Sequence, residues 1–472
     1  MAETTHSGLT KTLSSKEVLI LSFGAMIGWG WIILTGEWIS EGGPLGAISA
    51  FVLGGIVVGF VAIIYSELAS SMPLVGGEHV YSLRALGPIG SFICTWAIIF
   101  GYVTVAAFEA VALPSAMAFI IPGFNVMPLW SVAGEPVYGS WILVGVAGTL
   151  FVTVLNYIGI RPAAQFQIIM TVIIAFAGVV LIAGAVIGGQ PSPDPSFGAG
   201  TAGIFAVMLM VPFMFVGFDV IPQSAEEANV PPRTLGLLII VSVVMAALFY
   251  MAVIWGASRA LPASTLVDSP LPAAAAMAEL FDSQLMGQLM ALAGIAGILT
   301  SWNAFIIGGS RALFALSESG MIPASLSKVH PEYNTPSNAI LLIGGLSVLA
   351  PLFGEQMLTW IVNAGGLGIV TAWFFVVVSF LVLRYREPEM DRPYKVPAGY
   401  LVGALGFVMT AIFVSLYLPG GGSALLWPYE WLIVLLWCIL GVVLFVVSGA
   451  DTTASAEDLA GKLESLEKDD DV

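Results

Sequence analysis

The stretch GAMIGWGWIILTGEW, from Gly24 to Trp38, lies inside the first long apolar segment of the chain. Glycine lowers helix stability by about 1 kcal/mol relative to alanine, so Gly24, Gly28 and Gly30 together favour an unwound turn. Non-helical backbone at membrane depth is tolerated only where it lines a cavity, and transporters use such breaks to bind substrates. A face of small residues for close helix packing would explain the same glycines, so this segment alone leaves both interpretations open.

Composition indicates that the whole chain is a membrane protein. Of its 472 residues, 58% are hydrophobic and only 9% are charged, whereas soluble domains carry roughly 25% charged residues. The apolar residues fall in blocks of about 20, the length that a helix needs to cross the hydrocarbon core of a bilayer. Helices are expected throughout, because lipid-exposed backbone must satisfy its own hydrogen bonds.

Twelve apolar blocks are predicted to span the bilayer. They cover residues 17–40, 43–65, 89–120, 138–157, 162–188, 201–219, 234–260, 284–317, 338–354, 357–384, 401–418 and 428–448. With the N-terminus inside, every Lys and Arg except Arg259 falls on the cytoplasmic side, as expected from the positive-inside rule. Both termini are therefore predicted to be cytoplasmic, including an acidic tail over 449–472. The stretch 272–281 predicts a short interfacial helix on the outer face.

The sixth block contains a second interruption, which tips the balance towards a binding site. Pro212, Gly217 and Pro222 interrupt the helical pattern, and Asp219 follows directly after Phe218. The first and sixth spans occupy equivalent positions if two sets of five spans form inverted halves, and paired breaks of this kind point to a central site. Residues 1–448 would then form one transporter domain made of 17–188, 201–384 and the accessory helices over 401–448.

Five motifs occur in order along the chain. They are GAMIGWG (24–30), ELASSMPLVGGEHVY (67–81), GFDVIPQSAEEANVPPRT (217–234), SRALFALSESGMIP (310–323) and RYREPEMDRPYKVP (384–397). Together they resemble the amino acid–polyamine–organocation (APC) superfamily of permeases, which has the leucine-transporter fold. The resemblance implies an all-α membrane protein of twelve transmembrane helices, with two inverted repeats of five and broken first and sixth helices.

The resemblance also implies a function. A secondary transporter would import an amino acid or small organic amine across the plasma membrane by alternating access. Proton symport is favoured, while sodium symport and exchange stay open, and so does a nutrient sensor that binds without transport. The expected partners are the small-molecule substrate, a co-transported ion and the lipid bilayer. No motif predicts an enzyme, a cofactor, a metal site or a nucleic-acid partner.

The resemblance further implies which residues bind the substrate. The broken first helix would present backbone N–H groups to a substrate carboxylate, and the broken sixth helix would present carbonyl groups to the amine. Phe213 would also act as an aromatic gate. The residues so implied are Ala25, Ile27, Gly28, Trp29 and Gly30 from the first break, and Phe213, Met214, Val216 and Gly217 from the sixth.

Two positions depart from the family pattern. Trp29 stands where the family usually has a small residue, so its indole either fills a gap in the core, narrows the pocket or stacks on a substrate cation. Ile174 stands where some proton-coupled relatives carry a lysine in place of a sodium ion. That lysine-based coupling is therefore not available to this chain.

Acidic residues inside the apolar blocks are the natural replacements, because a carboxylate in a membrane is costly and usually functional. Glu109 is predicted to carry a proton or contact the substrate amine, with structural pairing or exposure at the lipid mouth as alternatives. Asp219 is a second coupling candidate, unless it ties the sixth helix to its neighbours. Glu67 is expected either at a cytoplasmic gate or loop contact or in the chemistry, whereas Glu226 and Glu227 are expected in loop salt bridges.

Overall fold

A computed structural model describes residues 8–422, 424–449 and 461, and nearly all the regular structure in them is helical. Nine helices within these residues are long and apolar enough to cross a membrane, which confirms the prediction of a helical multi-pass membrane protein. The predicted acidic tail lies outside the described residues, apart from Gly449 and Gly461. In chain order the helices are α1 (Ser15–Met26), α2 (Gly30–Ile33), α3 (Thr35–Ser71), α4 (Glu78–Ile120), α5 (Gly139–Tyr157), α6 (Ile160–Ile187), α7 (Thr201–Met214), α8 (Val220–Gln223), α9 (Pro232–Ser258), α10 (Ala263–Asp268), α11 (Pro272–Leu280), α12 (Gln284–Glu318), α13 (Ser337–Ser347), α14 (Gln356–Arg386), α15 (Gly399–Tyr417) and α16 (Tyr429–Ser448).

The first apolar segment is broken where its glycines predict. α1 starts at a capping box, in which the Ser14 amide donates to Glu17 Oε2 at 2.8 Å and the Glu17 amide donates to Ser14 Oγ. The helix ends at Met26, the chain leaves helical geometry over 27–29, and α2 begins directly afterwards. A sharp bend at Gly43, whose φ is +70°, then separates the short first part of α3 from its long apolar segment.

The sixth segment is broken in the same way. Pro212 lies in the last turn of α7, where its missing N–H and its ring disfavour further helix. Residues 215–219 form turns, and Gly217 adopts a φ of +129°, a conformation that L side chains rarely adopt. α8 then adds a single helical turn before a 3₁₀ turn at Ala225–Glu227.

Helices α4 and α12 form the centre of the molecule, because most of their side chains are buried over 94–112 and 290–317. At the other extreme, Glu430 and Gly441 are the buried residues of α16 among those that the structure describes. Exposed apolar side chains such as Phe176 on α6 mark surface that a bilayer would cover. The core of the helix bundle is therefore made of α4 and α12, which correspond to the third and eighth predicted spans.

Two features of the connecting segments refine the prediction from sequence. A short β-hairpin pairs β1 (Pro128–Val132) with β2 (Glu135–Tyr138), the one sheet within the described residues of a chain that is otherwise consistent with the predicted all-α membrane protein. Its turn residues Ala133 and Gly134 have φ of +50° and +91°, as tight hairpin turns require. The predicted interfacial helix exists as α11, but its apolar face packs on α12 and is buried, so it caps the helix bundle rather than resting on lipid.

Candidate functional site

The two helix breaks contact each other directly. A Cβ added at Gly217 would lie 2.7 Å from the Ala25 Cβ and 2.9 Å from the Met26 nitrogen, so only glycine permits this approach. The Tyr250 hydroxyl of α9 lies 2.6 Å from the Met26 carbonyl oxygen and 3.1 Å from that of Met214. One buried tyrosine therefore bridges the C-terminal ends of α1 and α7.

The breaks line one cavity with about 380 Å³ of empty space, including its open side. Its walls come from both breaks and from α4, α9 and α12, and they are mostly apolar and aromatic. The lining residues are Ala25, Met26, Gly28, Trp29, Gly30, Val105, Phe108, Glu109, Phe213, Met214, Val216, Tyr250, Ser301 and Phe305. The structure thus brings together most of the residues that the sequence singled out, including the acid of the third span.

Three of the singled-out residues do not line this cavity. Ile27 is fully buried behind it, and its amide donates to the Phe23 carbonyl at 3.1 Å, so this N–H already has a partner. Gly217 packs against Ala25 and Met26 of the first break instead. Asp219 accepts hydrogen bonds from the Gly217 amide at 3.1 Å and from Trp373 Nε1 at 3.0 Å. Asp219 therefore fixes the turn of the sixth segment from outside the cavity.

The first break leaves backbone donors at the cavity wall. Within the described part of the chain, the amides of Gly28, Trp29 and Gly30 have no hydrogen-bond acceptor. At the sixth break, the Met214 carbonyl is taken by Tyr250 and the Phe213 carbonyl accepts from the Val216 amide at 3.4 Å. Among these backbone groups, the three amides of the first break are therefore the hydrogen-bond donors without an acceptor in the described residues.

Glu109 lies in the cavity wall and is 2% exposed. Its Oε1 accepts a hydrogen bond from Ser301 Oγ of α12, while Oε2 has no partner among the described residues. A Cβ added at Gly28 would lie 3.1 Å from Oε1, so the carboxyl sits directly beside the first break. Among the described residues, no cation forms an ion pair with Glu109, and its side chain is not exposed at the surface. Ser301, which the sequence analysis missed, is its polar partner.

The two tryptophans of the first break have different surroundings. The Trp29 ring faces Gly294 of α12, where an added Cβ would lie 2.6 Å from Trp29 Cζ3, and it also lines the cavity. Trp31 packs edge-on against Phe249 with 5.2 Å between ring centroids. Trp31 therefore fills the core, whereas Trp29 both fills a gap and narrows the cavity.

A network of buried amide side chains involves α6, the helix that also carries the fully buried Ile174. Asn156 Nδ2 donates to Asn303 Oδ1 at 2.9 Å, and Asn303 Nδ2 donates to Gln167 Oε1 at 2.8 Å. Gln167 Nε2 reaches the Leu21 carbonyl of α1 at 3.4 Å. Neutral amides therefore connect α1, α5, α6 and α12. Among the described residues, no group of three His, Cys, Asp or Glu side chains could hold a metal ion.

A sequence model described as "Amino acid permease" matches residues 13–452, nearly the whole chain. The chain belongs to the amino acid permease family. This match confirms the resemblance to the APC superfamily that the five motifs indicate.

Several relatives of the permease are known transporters. The branched-chain amino acid permease of Bacillus subtilis strain 168 is 26% identical over 93% of both chains. The methylthioribose transporter of the same organism is 25% identical over 94% of both chains. Its aspartate-proton symporter is 23% identical over 86% of the permease and 79% of the symporter. These names describe carriers rather than enzymes, and they cover chemically different substrates.

Buried polar contacts cluster at the end of the permease that is predicted to be cytoplasmic. Arg311 of α12 forms a two-pronged ion pair with Glu227, at 2.8 Å and 2.9 Å, and both side chains are buried. The Leu13 amide donates to the Glu227 carbonyl at 2.8 Å, and the Asn229 amide donates to the Leu13 carbonyl at 2.8 Å. The salt bridge predicted for Glu227 is confirmed, and Glu226 Oε1 accepts from the Val75 amide at 3.1 Å.

Glu67 belongs to a second group of contacts at the same end. It pairs with Arg384, with Arg392 Nε at 3.0 Å and with the Val396 amide at 2.7 Å. These partners connect α3 to the segment that follows α14. The loop-contact alternative for Glu67 is therefore confirmed, and the residue lies outside the cavity lining.

Proposed function

We propose that this permease is a secondary active transporter that imports an amino acid or small organic amine across the plasma membrane by alternating access. The observation that carries the proposal is the meeting of two helix breaks at one cavity, where Tyr250 bridges the ends of α1 and α7. Paired breaks of this kind supply helix-end partial charges at membrane depth. The family membership supports an amino acid or a related molecule as the substrate.

The order of the helices supports twelve spans in two inverted halves of five. α1 with α2 and the first part of α3 would form the first span, and α7 with α8 the sixth. An inverted repeat makes these two positions equivalent, which is why both would be broken. α15 and α16 would be the accessory helices, with both chain ends in the cytoplasm as the Lys and Arg distribution predicts.

The free amides of the first break fit a substrate carboxylate. Gly28, Trp29 and Gly30 offer donors that lack partners within the described residues, at the point where the helix resumes. Bare N–H groups of this kind favour an anion. The substrate amine would face the sixth break, where the Val216 carbonyl has no donor among the described residues. The carbonyl groups of Met214 and Phe213 already accept hydrogen bonds. The Val216 carbonyl is therefore the best placed of the three to bind the substrate amine.

The remaining wall favours an apolar side chain on the substrate. Phe108, Phe213 and Phe305 surround the cavity, and Glu109 is the ionisable carboxyl among its lining residues. A second charge on the substrate would need a buried partner, since an unpaired charge in such a site is strongly unfavourable. The similarity to the branched-chain amino acid permease supports the same choice. We therefore propose a neutral amino acid with an apolar side chain as the first substrate to test.

Glu109 fits proton coupling better than amine recognition. Its Oε1 lies beside Gly28, where the substrate carboxylate would bind, and its Oε2 has no partner among the described residues. Two adjacent carboxylates repel each other unless one is protonated. A proton on Glu109 would therefore favour substrate binding, and by linkage the substrate would favour the proton. Symport of both follows from this reciprocal coupling.

Uptake by proteoliposomes tests the proposal. Purified permease would be reconstituted and challenged with radiolabelled leucine, aspartate, arginine and a small organic amine, under an imposed pH gradient or an imposed sodium gradient. Leucine accumulation driven by an inward proton gradient is the expected result. Accumulation driven by a sodium gradient alone would indicate sodium symport instead of proton symport. Exchange without accumulation would indicate an exchanger. Saturable binding without any transport would contradict the proposed transporter function and would indicate a nutrient sensor.

A further inference from the structure

One face of α12 packs on the backbone of the first break. Gly294, Gly297 and Ser301 are spaced by three and then four residues, so they share one side of this helix. A Cβ added at Gly297 would lie 2.5 Å from the Gly28 carbonyl oxygen, and one added at Gly28 would lie 3.1 Å from Ser301 Oγ. Two of the three positions therefore determine how closely α12 approaches the break.

The third position of this face, Gly294, contacts the ring of Trp29. A Cβ added at Gly294 would lie 2.6 Å from Trp29 Cζ3 and 3.2 Å from Trp29 Cε3. The same Cβ would lie 2.8 Å from Ile32 Cγ1. Carbon atoms of separate groups pack at about 3.5–4.0 Å, so a side chain at this position would overlap the ring. The absence of a side chain at Gly294 therefore leaves the space that the six-membered part of the indole occupies.

The cavity is the open space beside the Trp29 ring. The residue is 3% exposed, and Ile32, which borders the same added Cβ, is fully buried. Trp29 also forms part of the cavity wall, whereas Gly294 lies behind the ring and outside the cavity lining. Protein interiors are close-packed, so a ring that is displaced moves into the empty space next to it. A larger residue at position 294 would therefore push the indole into the cavity.

Met214, which also lines the cavity, is a more adaptable neighbour of the first break. A Cβ added at Gly30 would lie 2.8 Å from Met214 Cε and 2.9 Å from Met214 Sδ, at the end of that side chain. Methionine is unbranched and has three rotatable bonds, so it can change its shape around a substrate. Tryptophan has two side-chain torsions and a rigid ring. The Trp29 ring therefore limits the space beside the break more firmly than Met214 does.

We propose that Gly294 positions the indole of Trp29 and thereby sets the largest side chain that a substrate can carry. The cavity, with about 380 Å³ of empty space including its open side, lies near the lower end of the range of about 300–1,000 Å³ for small-molecule sites. The expected limit is a branched aliphatic side chain, so aromatic amino acids are excluded. Gly294 is a positioning residue, because it acts on the substrate through Trp29. The inference rests on the function proposed above.

Two substitutions with opposite effects on the cavity test the size limit. Gly294→Ala pushes the ring into the cavity, so leucine binding should fall about tenfold or more relative to alanine binding, as one methylene group does in a hydrophobic pocket. Trp29→Ala removes the ring and should admit phenylalanine, which the wild type should not bind. Purified permease with radiolabelled alanine, displaced by unlabelled leucine or phenylalanine, gives the relative affinities.

A double variant separates positioning of the ring from a general effect on packing. Without the indole, a methyl group at position 294 has no ring to displace, and the Ile32 side chain can move into the vacated space. Trp29→Ala/Gly294→Ala should therefore have the selectivity of Trp29→Ala alone, so the two changes are not additive. Gly59→Ala on α3 is the matched control, because a Cβ added there meets no atom of the described residues within 4 Å. Its selectivity should equal that of the wild type.

Three results would overturn the inference: an unchanged ratio of leucine to alanine affinity in Gly294→Ala, exclusion of phenylalanine by Trp29→Ala, or a wild type that binds phenylalanine as tightly as leucine. If Gly294→Ala fails to fold, folding of the double variant supports the contact, and the selectivity of Trp29→Ala decides. A wild type that binds these amino acids by size but does not transport them would contradict the transport function alone. A wild type that binds none of the three would overturn the proposed substrate and this inference with it.

Discussion

Replacement of Glu109 by glutamine is the most informative single change in the cavity. The carboxyl group is buried, accepts from Ser301 and lies beside Gly28 at the proposed carboxylate site. Glutamine keeps the shape and mimics the protonated acid, but it cannot ionise. The variant therefore removes the proposed proton and leaves the cavity wall in place.

The size of the effect follows from the spacing of the charges. A Cβ on Gly28 would lie 3.1 Å from Glu109 Oε1, so a carboxylate bound at Gly28 would lie close to this oxygen, and we take about 4 Å as their separation. Two like charges at about 4 Å repel by about 4 kcal/mol at an effective dielectric constant near 20. Since each 1.4 kcal/mol is tenfold in affinity, ionisation of Glu109 should weaken binding by up to roughly three orders of magnitude.

The sign of the pH dependence is fixed by this repulsion. In the wild type, affinity should be highest where Glu109 is protonated and should fall as pH rises. In Glu109→Gln, affinity should stay high across the range from about pH 5 to pH 9, because no charge can form at this position. Radioligand binding to purified protein measures both curves, with Glu332→Gln as the control for loss of an exposed carboxyl group.

Transport separates coupling from recognition. Glu109→Gln proteoliposomes should lose accumulation driven by a proton gradient, yet they should exchange internal for external substrate at a rate near that of the wild type. Weaker binding at every pH would instead assign Glu109 to the substrate amine. Wild-type affinity together with a wild-type pH dependence would refute the reasoning and leave Glu109 as a structural residue.

Three further changes test the cavity. Gly28→Val should abolish binding and uptake, because a Cβ at this position would lie 3.1 Å from Glu109 Oε1 and 3.1 Å from Ser301 Oγ. A normal size-exclusion profile together with normal uptake would contradict the site. Phe213→Ala should raise the substrate Kd and increase leak of bound substrate if this half-buried ring covers the cavity; a substrate-bound structure with the ring away from the ligand would argue against it. Tyr250→Phe removes the bridge between the two breaks and should destabilise the protein by about 1–3 kcal/mol, measured as a lower Tm, with Tyr400→Phe on the surface as the control.

The helix breaks could be predicted from the sequence because their causes are local. Glycine and proline weaken a helix wherever they stand, so Gly28 and Pro212 mark the interruptions without knowledge of the neighbours. The polar partners could not be predicted. Tyr250 and Ser301 lie in continuous apolar helices, and only the packing of those helices turns their hydroxyl groups towards the breaks.

Glu78 illustrates the same limit for charged groups. It directly follows two glycines, and no local pattern predicts its hydrogen bond from Gln223, 145 positions later in the sequence. Burial of this carboxyl depends on the docking of α8 against the loop before α4, a contact between distant segments. The hairpin β1–β2 was missed for a different reason: its alternation is short and lies between two long apolar blocks.

The two parts of the sixth segment, α7 and the residues after the break, differ in their polar contacts. α7 packs on α3 through apolar side chains such as Val211, which lies against Gly54. The part after the break also packs through buried apolar side chains, and in addition it makes polar contacts: Gln223 with Glu78, and Glu227 with Arg311. In the transport cycle proposed above, the part after the break would change position while α7 stays fixed, and a substrate at Phe213, Met214 and Val216 would contact the turn between them.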